Sequence, residues 1–298
     1  QQIPGYVAVP PGAPVPVKHV VPIAMGVSAV PRILDPITLH RGQRPRPAIR
    51  GVKKIRRGVV PGEGVADDGT VADDEKYLWF QGRALWVYSF LYNNFGHAPR
   101  HLEIAQKTRD FMVKYMRASN GTWYERVYRD GRIKEGVSDG IHGWLFAAEG
   151  LAEFYKATGD EEDIEMVYET LLAAIRAYDD PSHTGVRNFG GLGEDVSPRG
   201  FRSQGHSMVI IRLLTQLLSY QEDFRLEELQ GKHVDLIMNR FFNPRLGITN
   251  EYLQHDYSRV PGYEDHMFTG HSVETMWMVM FEALRKRALP LFIDSKNM

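Results

Sequence analysis

At 298 residues the chain can bury a large core, as one big domain or two ordinary ones. Its 36 Lys and Arg stand against 37 Asp and Glu, which gives no electrostatic ground for a nucleic-acid or membrane partner, and no apolar run is long enough to span a bilayer. There is no cysteine, so a disulfide framework and a thiolate metal site are both excluded. A cytoplasmic location is expected by default.

The balanced total hides an asymmetry. Residues 1–62 hold ten Lys/Arg, a single acid (Asp35) and eleven of the 17 prolines. Proline fixes φ and removes a donor, and closely spaced Pro and Arg leave little to pack, so this stretch reads as extended or disordered. It is either a basic interaction tail or sequence foreign to the domain that follows. The composition changes near Gly62, and residues 63–298 read as the folded domain.

From about residue 76 two kinds of helix alternate. "KYLWFQGRALWVYSFLYNNFG", "DGIHGWLFAAEGLAEFYKATGD", "QGHSMVIIRLLTQLLSY" and "TGHSVETMWMVMFEALRKR" are apolar on most sides, as helices buried on several faces should be. Between them lie amphipathic segments. In "EEDIEMVYETLLAAIRAYDD" the residues Ile164, Val167, Leu171, Ile175 and Tyr178 step by three or four along one stripe. "HLEIAQKTRDFMVKYMR" and "RLEELQGKHVDLIMNRFF" behave similarly. Buried and surface helices in alternation build a two-layer α/α toroid.

The spacing supports that architecture. Gly82, Gly143, Gly205 and Gly270, read as lying in the turn before each buried helix, are 61, 62 and 65 residues apart. A period of that size implies one repeated helical hairpin with its connection. The connections carry strand and turn chemistry: "TWYERVYRDGRI" has an Asp-Gly turn, "NPRLGITNEYL" is similar, and "VADDGTVADDE" looks like part of another. Short β-hairpins are therefore expected at one mouth of the ring. Four inner-helix starts are visible where six would close a toroid, and "LPLFIDSKNM" offers no further helical stripe. The expected fold is all-α, an incomplete (α/α)6 barrel of about four hairpins.

Aligning the repeats puts Arg83, His142, His206 and His271 at equivalent positions, converging on the central cavity. A lone histidine at a helix start is often a cap or a satisfied half-buried group. Four polar residues at one repeat position are harder to read that way, because an apolar interior penalises each of them. His271 and Glu274 form an H-x-x-E pair on one helical face, where the carboxylate can orient the imidazole or accept a ligand hydroxyl. Trp79, Trp86, Trp144 and Trp277 lie near the same helix starts, as core or as platforms for a sugar ring. His266 with His271 matches no standard zinc spacing, and neither a Gly-rich phosphate loop nor a Gly-x-Ser-x-Gly elbow is present. No metal and no cofactor is expected. A glycosidase would need two carboxylates flanking the bond; Asp139 facing a second acid across the cavity would revive that reading.

"KYLWFQGRALW", "EGLAEFYKATGD", "RSQGHSMVIIRLLTQLL" and "YEDHMFTGHSVETMWMVMFEAL" together resemble successive motifs of the N-acylglucosamine 2-epimerase family, over about residues 64–288. The resemblance implies an (α/α)6 barrel and metal-independent proton transfer at C2 of an open-chain aldose or N-acylhexosamine, by epimerisation or aldose–ketose isomerisation. It implies a sugar-oxygen ligand at Arg83, a ring-opening or proton-relay histidine at His206, and a general base at His271 with Glu274 as its partner. Trp86, Trp277 and His142 are further expected substrate contacts, although the family often has an aromatic residue at the position of His142. The partner is a small sugar, with a homodimer left open. Family members carry a further histidine in a C-terminal F/Y-H-x-P-R segment, and no histidine follows His271 here. The expectation is an incomplete ring with weak or absent turnover; the alternative is a sugar-binding or protein-interaction module of the same fold.

Overall fold

The computed structural model describes residues 74–137, 140–183 and 200–298. The Pro/Arg-rich segment 1–62 and Asp139 lie outside the described residues. Four helical hairpins follow one another: α1 (Leu78–Asn94) with α2 (Pro99–Phe111), α3 (Ile141–Thr158) with α4 (Glu161–Asp179), α5 (Gln204–Leu218) with α6 (Phe224–Asp235), and α7 (Thr269–Arg285) with α8 (Leu289–Asn297). Each odd-numbered helix packs on the next odd-numbered one and on its own even-numbered partner, which makes an inner and an outer layer. α2 and α6 each run on into a π-helical turn, Met112–Met116 and Leu236–Phe241.

The joints between layers follow from local chemistry. α3 ends at Gly159, whose φ of 72° suits a residue without Cβ, and the next residue, Asp160, caps α4 by accepting the Glu162 N–H at 3.1 Å. Ile164, Val167, Leu171 and Tyr178 are buried as the stripe requires. "LPLFIDSKNM" does form a helix, α8, contrary to the reading from its pattern. Pro290 falls in the first turn, where a missing N–H costs nothing.

Short strands gather where the inner helices begin. β1 (Glu75–Tyr77), β2 (Tyr124–Tyr128) and β3 (Ile133–Val137) form an antiparallel sheet, so the end of "VADDGTVADDE" joins the Asp-Gly hairpin as a third strand. In that turn the Tyr128 N–H donates to Arg132 O at 2.8 Å. β4 (Arg202–Ser203) pairs with β7 (Tyr252–Leu253), and β5 (Phe242–Asn243) with β6 (Ile248–Thr249). β1 and β4 lead directly into α1 and α5, and β3 stops just short of α3.

The four repeat glycines sit inside their helices and not in preceding turns. Gly82 marks where α1 crosses α3: a Cβ there would lie 2.4 Å from the Phe146 carbonyl oxygen, and one at Gly150 would lie 2.5 Å from the Gly82 oxygen. These glycines let the two backbones touch. The inner helices are also not equally buried. α3 and α5 have an inner neighbour on each side and are buried almost all round, whereas α1 leaves Phe80 and Val87 exposed and α7 leaves Val273, Trp277, Phe281 and Leu284 exposed.

The same substitution should therefore act with opposite sign at two helical glycines. Gly82→Ala meets backbone that cannot step aside, and is expected to destabilise the fold by about 1–3 kcal/mol. Gly231→Ala, in the exposed face of α6 with open space around it, should stabilise by about 0.5–1 kcal/mol. Urea denaturation of the two variants tests this pair; loss of stability at both positions would contradict the crossing-point argument.

Candidate functional site

Three of the four repeat-equivalent residues meet. His142 is the second residue of α3, and His206 and His271 are the third residues of α5 and α7. The His142 and His206 ring centroids are 4.3 Å apart, and those of His142 and His271 are 6.3 Å apart. Gly205 makes that approach feasible, since a Cβ there would lie 2.8 Å from His271 Cε1 and 3.0 Å from His142 Nε2. Arg83 does not join them at that level. It lies further into α1, with its guanidinium 5.4 Å from the Trp79 ring and 5.0 Å from the Phe146 ring, one turn beyond His142. The 61-residue spacing aligned Gly82 with Gly143, but the two sit at different depths in their helices.

The carboxylate on His271 is Glu251, not Glu274. Glu251 Oε2 lies 2.9 Å from His271 Nδ1, while Oε1 accepts from the Ser203 hydroxyl at 2.6 Å and lies 3.4 Å from the Gly205 N–H. Its backbone is tied as well: its C=O accepts from Gln204 N–H at 2.8 Å, and its N–H donates to His266 O at 3.0 Å. Glu274, half-buried three residues on from His271, acts on it through charge. His266 stacks on Tyr252 with centroids 5.5 Å apart, and no metal-holding group of three His, Asp or Glu occurs among the described residues.

The three imidazoles differ in proton affinity. Burial and its histidine neighbours push His206 down to about 3 and hold His142 well below the ordinary range, so both are neutral near pH 7. Burial also pulls on His271, but the hydrogen bond and charge of Glu251, with the charge of Glu274, outweigh it and raise its pKa. An ionised carboxylate on Nδ1 fixes the proton there and leaves Nε2 as the basic nitrogen. Beside His206, Ser207 Oγ lies 2.8 Å from the Tyr178 hydroxyl and 3.2 Å from His233 Nδ1, a buried polar cluster between α4, α5 and α6.

The predicted tryptophans divide. Trp86 and Trp277 come from the first and fourth inner helices, yet Arg212 of α5 reaches both, at 4.4 and 5.8 Å. Trp86, which reaches Arg212 past the intervening α3, therefore faces the concave side of the arc, and Trp277 lies against α5. Trp79 stacks on Phe80, and Trp144 lies near His183.

Comparison with known proteins agrees with this architecture. The family described as N-acylglucosamine 2-epimerase (GlcNAc 2-epimerase) matches residues 62–296. The chain belongs to this family. The N-acylglucosamine 2-epimerase of Mus musculus is 30% identical over 231 residues, covering 74% of this chain and 52% of the mouse protein. The chain thus spans about half the length of the curated relatives it matches. Among solved structures, the cellobiose 2-epimerase of Bacillus thermoamylovorans superposes with a TM-score of 0.66 at 16% identity, covering 80% of this chain and 66% of that one. A D-mannose isomerase superposes with a TM-score of 0.58 at 14% identity, covering 77% and 59%. Both share the fold: a toroid of α/α hairpins, of which four are present among the described residues.

Within this epimerase-family domain, Glu251 escaped the sequence reading because it belongs to no repeat position. One signal was available: a lone acid in "ITNEYL", where a strand pattern of apolar neighbours leaves a charge to be explained. Glu251→Gln removes the charge that raises His271, so the imidazole should titrate at lower pH than in the parent. The raised pKa also stabilises the fold by an amount fully present below about pH 6.5, the unfolded value, and lost as pH rises through the folded pKa. NMR titration of the His271 ring in parent and variant measures the shift; an unchanged pKa would remove Glu251 from this role.

Proposed function

We propose that this domain carries the C2 proton-transfer centre of a sugar 2-epimerase or aldose–ketose isomerase, with His271 as general base. The observation that carries the reading is the His271–Glu251 dyad against two neutral imidazoles. His271 Nε2 takes the proton from C2 of the ring-opened aldose, and the resulting imidazolium is balanced by the Glu251 carboxylate. The electron pair left at C2 moves into the C1 carbonyl, giving an enolate at O1 (an enediolate where C2 bears a hydroxyl) whose oxygen needs donors. Neutral His206, whose Nε2 is buried without a hydrogen-bond partner among the described residues, is suited to that task, and Arg83, one turn deeper, to a sugar oxygen further along the chain. Protonation of C2 from the opposite face by a second acid or water gives the epimer, whereas delivery of the His271 proton to C1, with the C2 hydroxyl proton passing to O1, gives the ketose. In this reading Glu274, on the same helix as His271, accepts a sugar hydroxyl. The curated relatives bear the name N-acylglucosamine 2-epimerase, which supports an aldose or N-acylhexosamine as substrate.

The chemistry is tested by incubating the protein in D2O with mannose or N-acetylmannosamine and following deuterium at C2 by NMR. Exchange is expected, reduced by at least about a hundredfold in His271→Ala, in line with removal of a general base. The rate should fall as pH drops through the raised His271 pKa, because the base must be unprotonated. Sugar binding without exchange, unaffected by His271→Ala, would replace this reading with a carbohydrate-binding role.

A further inference from the structure

Beneath the histidines lies a second polar layer that the proton-transfer chemistry does not use. Glu149 of α3 and Arg212 of α5 stand seven and six residues beyond His142 and His206, or about 9–10 Å further along their helices. Arg212 Nε is ion-paired with Glu149, and its guanidinium lies 4.4 Å from the Trp86 ring centroid and 5.8 Å from that of Trp277. Each of the four inner helices thus gives one residue to a single cluster. The ion pair occupies Nε, and among the described residues the two Nη groups have no hydrogen-bond partner. The Arg212 side chain keeps 20% of its surface exposed and Trp277 keeps 42%. Glu149 is buried to 2%, and burial pushes its pKa up to about 7 against the pull of Arg212 and Arg83.

A planar guanidinium whose free edge carries paired donors, set beside indole rings, is matched by vicinal hydroxyls on a short carbon chain. The N–H groups of the fork donate to two adjacent oxygens, and the C–H faces lie against the indoles. An anionic group here would lie beside the buried Glu149 carboxyl and push its pKa higher still, so the layer favours a neutral group over an anionic one. From these residues we infer that the Arg212–Glu149 pair, with Trp86 and Trp277, is a subsite for the polyol end of a neutral open-chain sugar, the C4–C6 hydroxyls of a molecule whose C2 sits at the histidines. The assignment rests on the proposed function for its alignment of the sugar. The subsite acts in binding and takes no part in the proton transfer.

Mannitol is an open-chain hexitol that cannot be epimerised, so it separates binding from turnover. Calorimetric titration of the protein with mannitol, erythritol and mannose 6-phosphate should show mannitol bound at least about tenfold more tightly than the four-carbon erythritol, the difference expected for two hydrogen bonds. Arg212→Lys keeps the charge but loses the fork, and should weaken mannitol about tenfold. A neutral pair, Glu149→Gln with Arg212→Gln, avoids stranding a buried carboxylate and should give the same loss. Retention of the parent His271 NMR titration certifies that each variant is folded. Mannitol binding indifferent to both variants would overturn the subsite, even where C2 deuterium exchange upholds the proton-transfer reading. Tighter binding of mannose 6-phosphate than of mannitol would also overturn it, in favour of an anionic tail. Mannitol binding that depends on Arg212 in a protein without C2 exchange would uphold the subsite and refute the chemistry.

Discussion

The mouth of this fold depends on one buried carboxylate. Glu251 arrives on the short link between β6 and β7, and its two oxygens join three segments: the His271 imidazole of α7, the Ser203 hydroxyl that ends β4, and the Gly205 amide in the first turn of α5. A buried charge survives only where it is fully paired. Here the pairing also sets the site's electrostatics. The inner helices all begin at this mouth, so the positive ends of their backbone dipoles gather there and disfavour protonated histidine. Glu251 reverses that bias for His271 and leaves His206 and His142 neutral.

Below the mouth, buried polar pairs tie each inner helix to the next. Asn93 of α1 donates to Glu153 of α3 at 2.8 Å, and Gln216 of α5 donates to the other oxygen of the same carboxylate at 2.8 Å. Thr215 of α5 donates to Glu282 of α7 at 2.9 Å, and Gln204 donates to Thr275 at 3.0 Å. Apolar contacts alone would let such helices slide by a turn at little cost. A misregistered acid would be stranded without its partner, at a cost of several kcal/mol. The depth of each histidine is thus fixed from below as well as at the mouth.

The fold was largely legible in the sequence because repetition leaves a period. The 61- to 65-residue spacing and the alternation of all-round apolar with one-sided helices located the four inner helices, the first three outer ones and both β-turns, and missed only α8. The period failed where a residue has a private reason for its position. Gly82 serves a helix crossing, and that displaced Arg83 by a turn from the histidines with which it was aligned. The uneven exposure of α1 and α7 was hidden as well, since an apolar pattern states what a face prefers and not whether a neighbour covers it. Glu251 was illegible for another reason: its function comes from a contact twenty residues away in sequence, through a segment with no helical period.

This division between repeat and link bears on how the site divides its labour. His142, His206 and His271 occupy the repeated position, so the fold supplies three similar imidazoles at equal depth. Similar groups in similar surroundings would share similar proton affinities, and none would stand out as a base. The non-repeated links break that equality: the segment bearing Glu251 singles out His271, while Tyr178 and His233 enclose Ser207 beside His206. In the proposed chemistry the group that must gain charge is the one with a carboxylate behind it, and the groups that must donate to an enediolate are held uncharged. The repeat places the side chains, and the links assign their roles.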